Sequence, residues 1–347
     1  MQVQIFEYPH PFALEQGGQL PGFQLAYTTS GQLSAARDNV VWVCHALTGH
    51  ADPASWWPGL FGPGDLFGPE RCFTVCANML GSCYGSTHAL SDDPGTGTPY
   101  YHRFPLLTNR DMVRAFDLLR AHLGIRHIHL AIGGSMGGQH VLEWAVMRPE
   151  LFGHLVPVAT NAQHSPWGIA WNESQRMAIE ADATWREDRP DAGMEGMRAA
   201  RAMALLSYRS YEGYAARQQE AGEAADGFRA SSYQRHQGEK LYRRFNAFSY
   251  WTLSKAMDSH HVGRGRGGVE AALAQVRART LVIGVDSDVL FPVAEQQRIA
   301  AGIAGAEYAE ITSLYGHDGF LVETAALAAI LRRWLAAVPA RQTGLRA

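Results

Sequence analysis

Short apolar runs alternate with longer amphipathic ones along much of the chain. Residues 40–44, 72–77, 127–132, 155–159 and 280–285 are short, mostly apolar and rich in β-branched side chains, the pattern of strands buried on both faces of a sheet. Residues 111–123 follow a different period. Met112, Val113, Phe116, Leu119 and Leu123 fall at helical spacing and Gly124 follows as a C-cap, which predicts a helix. A second helix is predicted from Gly137 to Met147, stopping before Pro149. The alternation predicts an α/β fold, a mostly parallel sheet flanked by helices on both faces.

From 161 to 268 the strand signal disappears. The sequence turns rich in Ala, Arg, Met, Glu and aromatic residues, among them Trp167, Trp171, Trp185, Tyr208, Phe245 and Trp251. This stretch reads as a helical lid insertion, 161–268, in a core domain made of 1–160 and 269–347. Polar runs such as 217–226 beside large apolar residues suit a lid over an active site, and suit a dimer interface equally. At 347 residues the chain has room for one large core with such an excursion.

Composition changes this picture only by exclusion. With 46% hydrophobic and 18% charged residues and a formal net charge of -3, the chain is too apolar for disorder and has no dense Lys and Arg run to track phosphates. Neither nucleic acid nor a membrane is expected as a partner. No basic segment followed by an apolar stretch opens the sequence and no run is long enough to span a bilayer, so a cytoplasmic location is the expectation. Cys44, Cys72, Cys76 and Cys83 cluster in one quarter of the chain. Cys72 and Cys76, four residues apart on one strand face, are too distant for a disulfide, and without a CxxC pair no metal site is expected. They read as buried thiols.

The candidate chemistry begins at His129-Leu-Ala-Ile-Gly-Gly-Ser-Met-Gly-Gly138. A serine between glycines, directly after a strand and before a helix, is a nucleophile elbow: the turn strains the serine backbone, and small neighbours let strand and helix approach. Serine needs a base and an orienting acid, in the chain order Ser, Asp, His. The loop after strand 280–285 carries Asp286 and Asp288. Tyr315-Gly-His317-Asp-Gly-Phe320 follows a strand-like stretch at 308–311 and precedes the last helix. This is the arrangement of the α/β-hydrolase fold, with Ser135 as nucleophile and His317 as base. Its oxyanion hole takes one amide from the residue after the serine, Met136, and one from the loop after an early strand. In His45-Ala-Leu-Thr-Gly49 the amide of Leu47 is favoured, and His45 itself reads as structural.

These residues lie in a sequence that closely resembles the homoserine O-acyltransferases, above all the homoserine O-acetyltransferases of methionine biosynthesis. Matching blocks include Leu14-Glu-Gln-Gly-Gly-Gln-Leu-Pro21, His45-Ala-Leu-Thr-Gly49, Asn78-Met-Leu-Gly-Ser-Cys-Tyr-Gly-Ser-Thr87, Gly133-Gly-Ser-Met-Gly-Gly138 with Leu142-Glu-Trp144, Ser287-Asp288 and Gly316-His-Asp318. The resemblance implies ping-pong transfer. Ser135 takes an acetyl group from acetyl-CoA and passes it to the hydroxyl of L-homoserine, with His317 alternating as base and acid and no permanently bound cofactor. It gives the triad acid as Asp288, with Asp286 its neighbour. It implies that Arg201, Tyr208 and Asp318 bind the acceptor and that the protein is a homodimer through its lid helices. The residue types suit a zwitterion, since Arg201 can fork onto a carboxylate and Asp318 can pair with an ammonium.

One segment departs from the family. Where relatives continue Gly-Ser-Thr with Gly-Pro-Ser-Ser and then Ile-Asn, this chain has His88-Ala89-Leu90-Ser91 and Asp92-Asp93. In the family this stretch lies near the active-site mouth, so acetyl against succinyl donor and homoserine against serine acceptor stay open here. An esterase with the same triad and a non-catalytic relative are the rival readings. Arg201 with Asp318 favours transfer over hydrolysis, and retention of all three triad residues favours catalysis. Arg264 and Arg266, within a glycine-rich stretch at 263–268, could approach CoA phosphates, but a mobile loop is the favoured reading.

Overall fold

The computed structural model describes residues 1–223 and 225–337. Its centre is an eight-stranded sheet of β1 (Val3–Tyr8), β2 (Phe23–Ser30), β3 (Val40–Cys44), β4 (Phe73–Ala77), β5 (Ile128–Gly134), β6 (Phe152–Val158), β7 (Arg279–Val285) and β8 (Glu307–Ile311). The spatial order is β1-β2-β4-β3-β5-β6-β7-β8. Strands β3 to β8 run parallel, whereas β2 is antiparallel to both β1 and β4. The apolar runs of the sequence all became strands of the parallel part. The antiparallel edge had no such signal, because β1 leaves Val3 and Ile5 exposed and buries only Phe6, as an edge strand can.

Alternation along β3 divides the core into two layers. Val40, Trp42 and Cys44 pack with Phe116 and Trp144, while Val41 and Val43 pack with Trp57, Phe61 and Phe320 on the other face. Helices α1 (Asn109–His122) and α2 (Met136–Met147) cover the first face; a C-terminal helix, Thr324–Ala336, covers the second with Leu327, Leu331 and Trp334. A capping box starts α1: the Thr108 hydroxyl accepts from the Asp111 amide at 3.2 Å, and the Asp111 carboxylate accepts from the Thr108 amide at 3.0 Å. Such a cap stabilises by about 1 kcal/mol. Gly124, at φ 65, takes the left-handed position after the helix, as the sequence predicts.

Between β6 and β7 the described residues form six helices and no strand of the large sheet: α3 (Pro166–Glu180), α4 (Met194–Ser207), α5 (Tyr211–Gln218), α6 (Arg229–Tyr242), α7 (Ala247–Asp258) and a short one at Val269–Leu273. Helices α3 and α4 cross closely at Gly196, where a Cβ would stand 2.4 Å from the Ala178 carbonyl. Arg176, buried in α3, pairs with Asp258 at the end of α7 and donates to Ser254 Oγ at 3.1 Å. The C-terminal part of the expected core, 338–347, lies outside the described residues.

The 263–268 stretch is not the free loop that its glycines suggest. Arg264 forks onto Glu15 at 3.0 and 2.8 Å, and Arg266 onto buried Glu143 at 3.0 and 2.7 Å. Arg110 of α1 bridges the same two carboxylates at 2.6 and 2.8 Å. Three guanidiniums and two carboxylates thus pin the N-terminal segment, α1, α2 and the segment after α7 together, which commits both arginines of the stretch and corrects the expectation of a mobile loop.

Candidate active site

Ser135 stands between β5 and α2 with φ 57 and ψ -124, a conformation costly for a residue with a side chain. Its surroundings enforce the turn. The Ser135 amide donates to Val158 O at 2.9 Å and its carbonyl accepts from Thr160 Oγ1 at 2.7 Å. A Cβ on Gly133 would meet the Gly137 backbone at 2.4 Å, and one on Gly137 would meet Cys44 O at 2.1 Å. Only glycine lets the helix N-terminus press against β5 and the end of β3.

His317 Nε2 lies 2.9 Å from Ser135 Oγ, and His317 Nδ1 lies 2.6 Å from Asp288 Oδ2. The Ser135 side chain is nearly buried, as are those of His317 and Asp288. Asp288 is itself fixed, its Oδ1 accepting from the Leu290 and Phe291 amides at 2.8 and 2.9 Å. With the carboxylate accepting at Nδ1, the imidazole carries its proton there and presents Nε2 as acceptor to the serine. Asp286 takes a different place. It is exposed, and its Oδ1 accepts from the Ser313 amide at 3.0 Å. Ser287 between them accepts from Gly316 N at 3.1 Å and donates to Ser313 O, coupling the acid loop to the histidine loop.

Met136 is the first residue of α2, so its amide has no intrahelical acceptor. The amides of Met136 and Leu47 donate to no other group among the described residues. The loop of Leu47 is held by His45, whose Nδ1 donates to Ala46 O at 2.8 Å while Nε2 accepts from the Met79 amide at 3.3 Å. Burial lowers the pKa of His45 to about 4, so the ring stays neutral and spends both nitrogens on the loop. From the turn between α6 and α7, Arg244 donates to Thr48 O at 2.8 Å and to the Tyr84 hydroxyl at 2.6 Å. Sequence reading did not single out Arg244; nothing local marks it among 30 Lys and Arg residues.

The end of α4 meets the histidine loop. The Tyr208 ring lies 5.8 Å from the His317 ring, and the Arg201 guanidinium lies 5.2 Å from the Tyr208 ring centroid. Burial raises the pKa of the Tyr208 phenol, against the nearby Arg201, which keeps it a neutral donor. The Asp318 amide donates to Tyr208 O at 3.3 Å. The Asp318 carboxylate has a partner within the protein: Arg209, adjacent to Tyr208, forms an ion pair with its Oδ2. The hydrogen bonds of segment 88–93 among the described residues go to other groups. His88 Nδ1 bonds Ser86 O at 3.0 Å, Ala89 O accepts from Tyr101 N at 2.6 Å, and Asp92–Asp93 pairs with Thr98–Pro99. Leu90, Ser91 and Asp92 line a surface cavity of about 560 Å³ with Tyr8 and Phe23 at the β1–β2 edge, which contains no triad residue.

Residues 39–324 match the family model described as alpha/beta hydrolase fold. The chain is 52% identical over 332 residues to a homoserine O-acetyltransferase of Cyclobacterium marinum, covering 96% of this chain and 95% of that protein. A crystal structure of homoserine O-acetyltransferase from Bacillus anthracis superposes with a TM-score of 0.89 at 23% identity, covering 96% of this chain and 97% of the other. Esterase E22 superposes nearly as well, with a TM-score of 0.87 at 22% identity and coverage of 96% and 99%. At those identities the two structures speak for the fold alone.

Proposed function

The chain belongs to the homoserine O-acetyltransferases, within the α/β-hydrolase fold, and from that premise we propose how it transfers an acetyl group from acetyl-CoA to the hydroxyl of L-homoserine. The observation that carries the reading is the continuous line from Ser135 Oγ through His317 to Asp288, beside the lid residues Arg201 and Tyr208. In the first half-reaction His317 Nε2 takes the hydroxyl proton as Ser135 attacks the thioester carbonyl. The amides of Met136 and Leu47 stabilise the oxyanion, and the proton held by His317 goes to the departing CoA sulfur. In the second, His317 takes the proton of the homoserine hydroxyl, which attacks the acyl-serine; on collapse the proton returns to Ser135 Oγ. Asp288 holds the imidazole tautomer and stabilises the imidazolium in both.

Homoserine arrives as a zwitterion. In this reading Arg201 forks onto its carboxylate, Tyr208 donates a hydrogen bond from its neutral phenol, and Asp318 takes the ammonium. Anchoring both charges places the hydroxyl at the acyl-enzyme in preference to water, which is what separates transfer from hydrolysis on a shared fold. The 161–268 helices are the lid in this account. Their exposed apolar residues, including Trp167, Met177, Leu206 and Tyr211, support a homodimer through that face, and a biosynthetic use of acetyl-CoA suits the cytoplasm. The test pairs acetyl-CoA or succinyl-CoA with homoserine, serine or water. O-acetylhomoserine as the main product supports the proposal; acetate release at the same rate with and without homoserine rejects it in favour of an esterase.

A further inference from the structure

We propose that Arg209 is a positioning residue for the acceptor's ammonium: by binding one oxygen of Asp318 it fixes the carboxylate so that the other oxygen faces the substrate. This rests on the reading of Asp318 given above and adds the group that aims it. The ion pair uses Asp318 Oδ2, whereas Oδ1 accepts from no group among the described residues. Both side chains are about one-fifth exposed, 20% for Arg209 and 19% for Asp318, so the pair is covered yet reachable. Arg209 is held in turn, its Nη2 donating to the Tyr233 hydroxyl of α6 at 3.2 Å.

The backbone around this pair leaves little play. A Cβ on Gly316 would stand 2.6 Å from Arg209 C and Ser210 N, and one on Gly213 would stand 1.9 Å from Leu314 O. Ser210 Oγ donates to Leu314 O at 2.7 Å. Lid residues 208–213 and histidine-loop residues 314–318 therefore form one docked unit, in which the acceptor-binding side chains keep a set distance from His317. Without Arg209, the Asp318 carboxylate would lose its fixed direction, and an ammonium would gain less from it.

The inference predicts a loss specific to the amino group. Homoserine and 4-hydroxybutyrate differ only by that group, so the ratio of their kcat/KM values as acceptors reports how well the ammonium is recognised. In Arg209→Ala this ratio should fall on the order of 10- to 100-fold, the scale of one charge-assisted hydrogen bond. Most of the fall should come from a raised KM for homoserine, and Arg209→Lys should recover part of it. A general packing defect would slow both acceptors alike and leave the ratio intact. An unchanged ratio in Arg209→Ala overturns the inference; if that variant does not fold, an unchanged ratio in Arg209→Gln does the same. Failure of the wild-type protein to use homoserine at all would instead reject the functional reading, so the two failures are distinguishable.

Discussion

Replacing Asp288 by Asn is the most revealing single change to the triad, because it alters one proton while preserving shape. In the amide the oxygen can still accept from the Leu290 and Phe291 amides, which now bond Oδ1 at 2.8 and 2.9 Å. The NH2 group must then face His317 Nδ1, 2.6 Å from the present Oδ2. A donor there turns Nδ1 into an acceptor and moves the imidazole proton to Nε2, the atom 2.9 Å from Ser135 Oγ. The base can no longer accept the serine proton, and the imidazolium formed during reaction loses its counter-charge. Triad acids neutralised in this way lower kcat by about 10⁴-fold, equivalent to roughly 5.5 kcal/mol of transition-state stabilisation. Asp286→Asn should cost less than about 10-fold, since its oxygen still accepts from Ser313 N and a single surface hydrogen bond is at stake. The assay is steady-state acetyl transfer by both variants, with thermal unfolding to confirm that each is folded. If Asp286→Asn proved the more damaging change, or if Asp288→Asn kept most of its activity, the orienting role of Asp288 would be refuted.

Three further outcomes follow from named contacts. Arg201→Ala should cripple transfer to homoserine while acetyl-CoA still acylates Ser135; a stopped-flow burst of CoA detected with a thiol reagent checks this, and loss of the burst would move Arg201 to the fold or to CoA. Gly137→Ala forces a Cβ to 2.1 Å from Cys44 O and should destabilise by about 1–3 kcal/mol, with a loss of activity from the displaced oxyanion loop; unchanged melting and turnover would contradict the packing argument. Arg264→Ala removes the fork on Glu15 and should destabilise by about 1–2 kcal/mol at neutral pH. Burial pushes the Glu15 carboxyl up, but Arg264, Thr108 and Arg110 together outweigh it and hold the pKa below the usual glutamate range, so this increment is present above that range and is lost as pH falls through the lower folded value. Denaturant melts of both proteins across pH should therefore converge in acid; a gap that widens there would reverse the sign.

What could be read from the sequence followed from locality. The elbow is spelled by neighbours in the chain, and its glycines are required because a Cβ on Gly133 or Gly137 would stand only 2.1 to 2.4 Å from the backbone of the adjacent element. The buried parallel strands are legible because two-sided burial demands an uninterrupted apolar run. Features built from distant partners were opaque. Arg264 and Glu15 are 249 positions apart, so the glycines around the arginine suggested mobility while its real constraint lay at the other end of the chain. Arg209 was passed over for the same reason: its significance is the contact with Asp318, 109 positions away. The doublet Tyr208-Arg209 was the one available hint. The β1–β2 edge was missed because β1 leaves Val3 and Ile5 exposed, and β2, though largely buried, breaks its apolar positions with Gln24, Thr28 and Thr29.

The account stands on an acetyl group passing through Ser135, and mass spectrometry of the intact protein and its peptides tests that directly. Incubated with acetyl-CoA alone, the wild-type enzyme should carry one acetyl group on the peptide containing Ser135, and added homoserine should discharge it as O-acetylhomoserine. Ser135→Ala should carry none. A stoichiometric acetyl adduct persisting in Ser135→Ala, or a wild-type adduct that homoserine fails to discharge, would contradict the mechanism.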